Sequence, residues 1–296
     1  MKVVVTGGSG RIGSATARAF RQAGHDVLTL DRRPPGDLSQ AHRVIDLADR
    51  VAVRLALEGA EVVLHLGEQP NISRGDWQQV YGCNTQIGSV VMETAWEVGA
   101  TKLIYTSSCQ VYGCWGLENG AVKLPVSLPL EETHPLQPAN TYALSKVANE
   151  MYARMLSDRK QLDIAVFRPP MTYVPEMASE MLQRMATLPG PRRLSNDGFG
   201  SNLHVEDAAS AYLAAITVGW TGFEAFHFAA DDVVTDIPIR EVMMERYPHL
   251  PPLPESWGPN QTVVSTKKAR DMLGWRPKHS LLRALGEARA ALLKAG

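Results

Sequence analysis

Short, almost uninterrupted apolar runs alternate through the first half of the chain with segments whose apolar residues recur every three or four positions. Lys2–Thr6, Asp26–Leu30, Arg43–Ile45, Glu61–Leu66, Lys102–Thr106 and Ile164–Phe167 read as strands, the first built on β-branched Val-Val-Val. Ser14–Ala23, Arg50–Leu57, Asp76–Glu97 and Thr141–Leu156 carry helical spacing, with Gly24 stopping the first of them. Strands and helices alternating at this period predict βαβ units. The fold class expected is α/β, a doubly wound parallel sheet (Rossmann) covered on both faces. After Arg168 the pattern turns irregular, with proline-rich stretches at Pro189–Pro191 and Pro248–Pro259. Helices are expected at Pro175–Met185, Val205–Val218, Ile237–Arg246, Thr266–Leu273 and Leu281–Lys294, and a short strand at Ala225–Phe228. The expected division is a Rossmann domain over 1–168 and a smaller C-terminal lobe over most of 169–296, with the chain crossing back.

The first strand–helix junction is Thr6-Gly7-Gly8-Ser9-Gly10-Arg11-Ile12-Gly13. Glycines at 7, 10 and 13 allow a tight turn, close approach of backbone to a pyrophosphate, and close packing of helix on strand. The helix N-terminus would then aim backbone N–H groups and its dipole at the phosphates. Alone, such a run is a weak signal. It gains weight from Asp31, which ends the second strand 18 residues after Gly13. A carboxylate there accepts hydrogen bonds from a ribose diol and repels a 2′-phosphate, which favours NAD over NADP. Arg32 and Arg33 argue the other way, because a guanidinium can receive a 2′-phosphate.

Tyr142-Ala143-Leu144-Ser145-Lys146 puts a phenol and an ammonium one helical turn apart on one face. A phenol with a reference pKa of about 10 is a poor base at neutral pH, and a neighbouring ammonium favours the phenolate. Tyr142 could then exchange a proton with a substrate hydroxyl or carbonyl. Asn140 or Thr141 could cap this helix. Tyr105-Thr106-Ser107-Ser108 closes the fifth strand, at the sheet edge where ligands bind in open α/β folds.

The formal net charge of −1 predicts no nucleic acid and no membrane partner. No apolar stretch approaches the roughly 18 residues of a transmembrane helix. Met1–Val5 runs straight into the glycine turn, so no signal peptide is expected. Three cysteines, Cys83, Cys109 and Cys114, have neither disulfide-framework nor zinc spacing. A cytoplasmic protein without a metal site is the expectation, with Cys109 a bystander thiol.

Together these residues resemble the short-chain dehydrogenase/reductase superfamily, in its extended branch of NAD-dependent epimerases and dehydratases. The resemblance spans nearly the whole chain. It rests on the glycine turn, Asp31, Asp46-Leu47, His65-Leu66-Gly67, Asn84-x-x-x-Gly88 and Ser107-Ser108-x-x-Val111-Tyr112-Gly113. Tyr142-x-x-x-Lys146, Arg168-Pro169, His204-Val205-x-Asp207-Ala208 and Leu273-Gly274-Trp275-x-Pro277 complete it. The resemblance implies Ser108, Tyr142 and Lys146 as catalytic residues. It implies cofactor contacts from Gly7, Gly10, Arg11, Ile12, Gly13, Asp31, Asp46, Leu47, Leu66, Gly67, Asn84, Tyr142, Lys146 and Pro170. Tyr112 reads as structural. The resemblance also implies a homodimer, paired through the helices at 76–97 and 141–156.

Two departures bear on substrate. Members acting on nucleotide sugars usually carry Arg-Asp-Phe-x-His-Val, where this chain has Gly200-Ser201-Asn202-Leu203-His204-Val205. They usually carry a second arginine before the Leu-Gly-Trp, and Pro248–Ser265 has none. Bidentate guanidinium contacts suit a substrate diphosphate, so their loss favours a dehydrogenase of a free sugar, sugar acid or small polyol. A nucleotide-sugar epimerase, with Arg184, Arg192 or Arg193 as substitutes, is the alternative. A non-catalytic NAD(P)-binding module is a lesser one. Cys109-Gln110 in place of Asp-Glu speaks against a dehydratase. Trp115–Pro129 is a candidate lid or substrate wall, and His204 is expected to pack at the lobe junction.

Overall fold

The computed structural model describes residues 1–37, 39–70, 76–114, 123–160, 162–177, 180–181 and 199–287. Most of Trp115–Pro129, the helix ends expected beyond 181 and 287, and Arg184, Arg192 and Arg193 lie outside them.

Seven parallel strands form one sheet: β1 (Lys2–Thr6), β2 (Asp26–Asp31), β3 (His42–Val44), β4 (Val62–His65), β5 (Lys102–Thr106), β6 (Asp163–Arg168) and, numbered by chain order, β9 (Phe223–His227). Their order is β3-β2-β1-β4-β5-β6-β9. The order reverses between β1 and β4, so the chain leaves the carboxyl ends of these neighbours in opposite directions and opens a crevice there. The strand expected at 225–228 is β9, and it extends this sheet beside β6. Periodicity within one short run could not assign it to either half of the chain. A separate two-stranded ribbon pairs β7 (Met171–Tyr173) with β8 (Asn202–His204). Neither strand was foreseen, because three residues are too few for an alternation to register.

Alternate side chains of each strand face opposite layers. Val3 and Val5 point to one side, where they join a core with α1 (Arg11–Gln22), α5 (Val205–Val218) and α7 (Lys267–Leu273). Val4 points to the other, into a core with α2 (Arg50–Leu57), α3 (Trp77–Glu97) and α4 (Thr141–Lys160). A third apolar cluster joins the Cys109–Tyr112 turn, Leu130 and Phe199 to α6 (Ile239–Arg246). Among the described residues, no helix is long and apolar enough to cross a membrane.

Helix ends follow local chemistry. Asp49 caps α2 and Asp76 caps α3, each accepting from backbone N–H groups of the first turn. Of the two candidates at α4, Asn140 is the cap: its Oδ1 accepts from Ala143 N at 2.7 Å. His204 caps α5 through Nδ1, which accepts from Glu206 N.

Candidate active site

A cavity of about 630 Å³ opens at the reversal between β1 and β4. The glycine turn forms its floor. Gly7 has φ +70°, and a Cβ there would sit 2.7 Å from the Leu66 carbonyl oxygen. A Cβ on Gly13 would sit 2.2 Å from the Gly7 carbonyl oxygen. Both positions therefore demand glycine. Gly8 was not singled out from sequence, yet its Cβ would strike Thr29 Cβ at 2.4 Å. Gly10 caps α1 with no side chain, and the first turn of α1 holds no acidic residue. The N-terminal N–H groups and the positive end of the helix dipole thus face the cavity without a competing carboxylate.

Of the expected cofactor contacts, Gly7, Gly10, Arg11, Ile12, Gly13, Asp31, Asp46, Leu47, Leu66 and Gly67 line this cavity. Asp31 is held by Ser9 N at 3.1 Å on Oδ2 and Arg33 N at 3.0 Å on Oδ1. Arg32 and Arg33 line it too, and Arg33 Nε lies 3.8 Å from Asp31 Oδ1. An anion cradle beside a strand-end carboxylate fits a pyrophosphate and an adjacent ribose diol.

Asn84, Pro170, Ser108, Tyr142 and Lys146 are not among the lining residues. Asn84 is fully buried and braces the loop after β4: its Oδ1 accepts from Gln69 N at 2.8 Å, and its Nδ2 donates to Ser145 Oγ on α4. Pro170 is buried just beyond β6. Lys146 touches the cavity wall indirectly, donating to the carbonyl of lining residue Thr106 at 2.7 Å.

Tyr142 and Lys146 lie on the inner face of α4, with 7% and 5% exposure. Lys146 Nζ is 5.6 Å from the centre of the Tyr142 ring. Ser108 precedes the Cys109–Tyr112 turn, and its Oγ accepts from Gln110 N at 3.2 Å. The chain is pinned on both sides of it. Ser107 Oγ donates to Glu150 Oε1 at 2.5 Å, and Cys109 N donates to the Pro169 carbonyl at 3.1 Å. Cys109 itself is buried, donates to the Arg168 carbonyl, and has its thiol pushed up by burial, which suits a bystander. Tyr112 is buried between Arg168 Nη1 and His227 Nε2, each 2.6 Å from its hydroxyl, as a structural residue would be.

Glu68 escaped the sequence reading. Its side chain is 3% exposed, and its Oε2 lies 2.7 Å from Lys146 Nζ. Burial alone would drive both groups toward their neutral forms. Their mutual attraction outweighs it, holding Glu68 below the usual carboxylate range and Lys146 above the usual lysine value. The available signal was a charged residue directly after the His65-Leu66-Gly67 strand end, facing the ligand crevice.

The model of the NAD dependent epimerase/dehydratase family matches residues 3–225. A UDP-glucose 4-epimerase of Corynebacterium glutamicum is 23% identical, covering 97% of this chain and 94% of its own length. An L-arabinose 1-dehydrogenase (NAD(P)(+)) of Haloferax volcanii is 26% identical, covering 56% of this chain and 65% of its own length. A solved short-chain dehydrogenase/reductase superfamily protein of Agrobacterium tumefaciens with bound NAD shares the fold at TM-score 0.77 and 21% identity, covering 100% of this chain and 98% of that one. The ordered motifs, the seven-stranded parallel sheet and a family match over three quarters of the sequence converge: the chain belongs to the NAD-dependent epimerase/dehydratase family and is an enzyme of the extended short-chain dehydrogenase/reductase type.

Proposed function

We propose that this enzyme is an NAD-dependent dehydrogenase of a free sugar, sugar acid or small polyol. NAD sits on the Gly7–Gly13 cradle, with Asp31 toward the adenosine ribose and Asp46, Leu47, Leu66 and Gly67 along the cavity wall. The nicotinamide supplies the hydride acceptor or donor. Tyr142 takes the proton from the substrate hydroxyl, or returns it to the carbonyl, while the Lys146 ammonium favours the phenolate. Ser108 donates to the same substrate oxygen, and its pinned neighbours keep it in place.

One observation carries the choice of a small substrate. Gly200 stands where relatives acting on nucleotide sugars usually carry an arginine, and its φ is +66°. Left-handed backbone there suits glycine and disfavours any residue with a Cβ. The segment is thus built without the guanidinium, rather than merely missing one side chain. The second usual arginine is absent from Pro248–Ser265. With neither present, nothing at these positions would compensate a buried diphosphate.

Purified protein with NAD and a panel of aldoses, uronates and polyols is expected to generate NADH absorbance with at least one of them. The Tyr142→Phe variant is the control and should be silent. A panel without signal, together with calorimetric binding of UDP or GDP sugars, would replace this reading by the epimerase one.

We also infer a homodimer. Trp77 and Tyr81 on α3, and Leu144 and Met151 on α4, are exposed apolar side chains on two helices packed against each other. Light scattering should give twice the chain mass, and Leu144→Glu with Met151→Glu should halve it.

A further inference from the structure

The shortest side-chain contact of the Lys146 ammonium is with an acid, not with Tyr142. Lys146 Nζ donates to Glu68 Oε2 at 2.7 Å. The rest of that carboxylate is also occupied. Tyr105 OH donates to Oε2 at 3.1 Å, and Asn149 Nδ2 donates to Oε1 at 2.8 Å. His65 Nε2 lies 3.4 Å from Oε1. The hydrogen bonds of Thr6 set the direction of that imidazole. Thr6 Oγ1 accepts from Leu66 N and Gly67 N at 3.1 Å each, so its own proton goes to His65 Nδ1 at 2.7 Å. The ring proton of His65 then sits on Nε2, toward Glu68. Gly88 makes room for Asn149: a Cβ there would be 2.3 Å from Asn149 Nδ2.

Three donors hold this carboxylate on both of its oxygens, and the imidazole stands 3.4 Å from one of them. The carboxylate is fully ionised and buried against the acting lysine, an arrangement that is costly without a use. We propose that Glu68 is a positioning residue that holds the Tyr142–Lys146 pair protonated to higher pH by setting a fixed negative charge against its ammonium. The proposal rests on the proposed function only for naming Tyr142 and Lys146 as the acting pair.

The sign does not depend on which member loses the proton. Lys146 Nζ lies 5.6 Å from the centre of the Tyr142 ring, so the pair is treated as one unit that gives up a first proton. The state with one proton lost is shared between ammonium–phenolate and amine–phenol. A negative charge beside the pair disfavours both forms relative to the doubly protonated state. Other ionisable groups face this pair as well. Glu150, one turn beyond Lys146, is bound by Arg168. Tyr105 is kept a phenol by burial, and the Cys83 thiol on α3 is likewise pushed up by burial. His65 is directed at Glu68 itself. Glu68 is therefore the charge whose removal changes the field at the pair.

The test needs neither substrate nor cofactor. Proton release is followed by potentiometric titration of the whole chain, and the step of the pair is isolated by subtracting the titration of Tyr142→Phe with Lys146→Met in each background. In Glu68→Gln the step should fall by about one pH unit or more, the size expected for a unit charge several ångströms away. In Glu68→Asp, where the charge recedes by one methylene, it should fall by less. Should the Gln variant fail to fold, the Asp variant decides alone. Steps coinciding with the parent, or moving to higher pH, would overturn the proposal. A chain that forms no NADH with any substrate but shows the graded shift would sink the proposed function and leave this role standing.

Discussion

Arg168 grips Glu150 at two points, Nε to Oε1 at 3.0 Å and Nη2 to Oε2 at 2.6 Å, with both side chains about 95% buried. The pair ties the end of β6 to α4, one turn beyond Lys146, and Glu150 Oε1 also receives the Ser107 hydroxyl. One buried carboxylate therefore couples the strand end bearing Ser108 to the helix bearing Tyr142. Removing Arg168 would leave that carboxylate without its cation. Arg168→Met is expected to lower stability by about 3–5 kcal/mol, whereas Arg168→Met with Glu150→Leu should recover much of that loss. Urea unfolding of the two variants measures the difference. Equal losses would show that the pair contributes through packing alone.

The glycine turn makes a sharper demand on cofactor than on fold. Gly13 lies in the first turn of α1, and an added methyl would press on the Gly7 carbonyl, which is backbone and cannot rotate away. Gly13→Ala should push α1 off the turn and widen the anion cradle. NAD affinity by calorimetry is expected to fall at least about tenfold, or 1.4 kcal/mol, on the usual conversion. Gly82→Ala is the control, since a Cβ there meets nothing within 4 Å. It should bind NAD as the parent does.

These cases show how much of the site the sequence carried. Gly7, Gly10 and Gly13 were legible because a turn that must pass close to backbone admits one residue type at a fixed spacing. Helical periodicity made it legible that Tyr142 and Lys146 share one face of a helix, and the family resemblance gave the pair its expected role. Glu68 was not, because its meaning depends on Tyr105, Asn149 and Lys146 arriving from three other elements, a relation no local spacing encodes. Asn84 was expected to contact the cofactor. Its amide grips Gln69 and Ser145, so it supports the loop that carries Glu68. The β7–β8 ribbon went unseen because two three-residue strands separated by about thirty positions leave no local trace.

Asp31 is the residue proposed to discriminate NAD from NADP. Its carboxylate is fixed by Ser9 N and Arg33 N on the cavity rim, with Arg32 and Arg33 beside it. A 2′-phosphate placed there would be repelled by that negative charge. Asp31→Ser should remove the repulsion and leave both arginines free to take a phosphate. The ratio of NAD to NADP affinity is expected to fall by about a hundredfold, tenfold lost on one side and tenfold gained on the other. Titration with each dinucleotide checks this. An unchanged ratio would mean that the 2′ position is read elsewhere.

His227 should make the fold acid-sensitive. Arg168 Nη1 donates to the Tyr112 hydroxyl, so that hydroxyl's proton goes to His227 Nε2 at 2.6 Å, while His227 Nδ1 donates to the Ser265 carbonyl at 3.2 Å. Both ring nitrogens are thereby committed in the neutral form. Protonating Nε2 would set a donor against a donor in a buried site next to a guanidinium. Burial first, and the Arg168 charge second, push the imidazole down to about 3 from an ordinary 6.5. The unfolded chain takes up this proton near its ordinary value, whereas the folded chain refuses it until far lower pH. Stability from this group is therefore complete above about pH 6.5 and drains as pH falls toward 3, at no more than about 1.4 kcal/mol per pH unit. Glu132, whose carboxyl is raised by burial and accepts from His227 N, titrates in the opposite sense, so the comparison must be between chains that share it. Urea unfolding at pH 7 and pH 5 should show a smaller acid loss in His227→Asn than in the parent. An equal loss in both would assign the acid sensitivity to other groups.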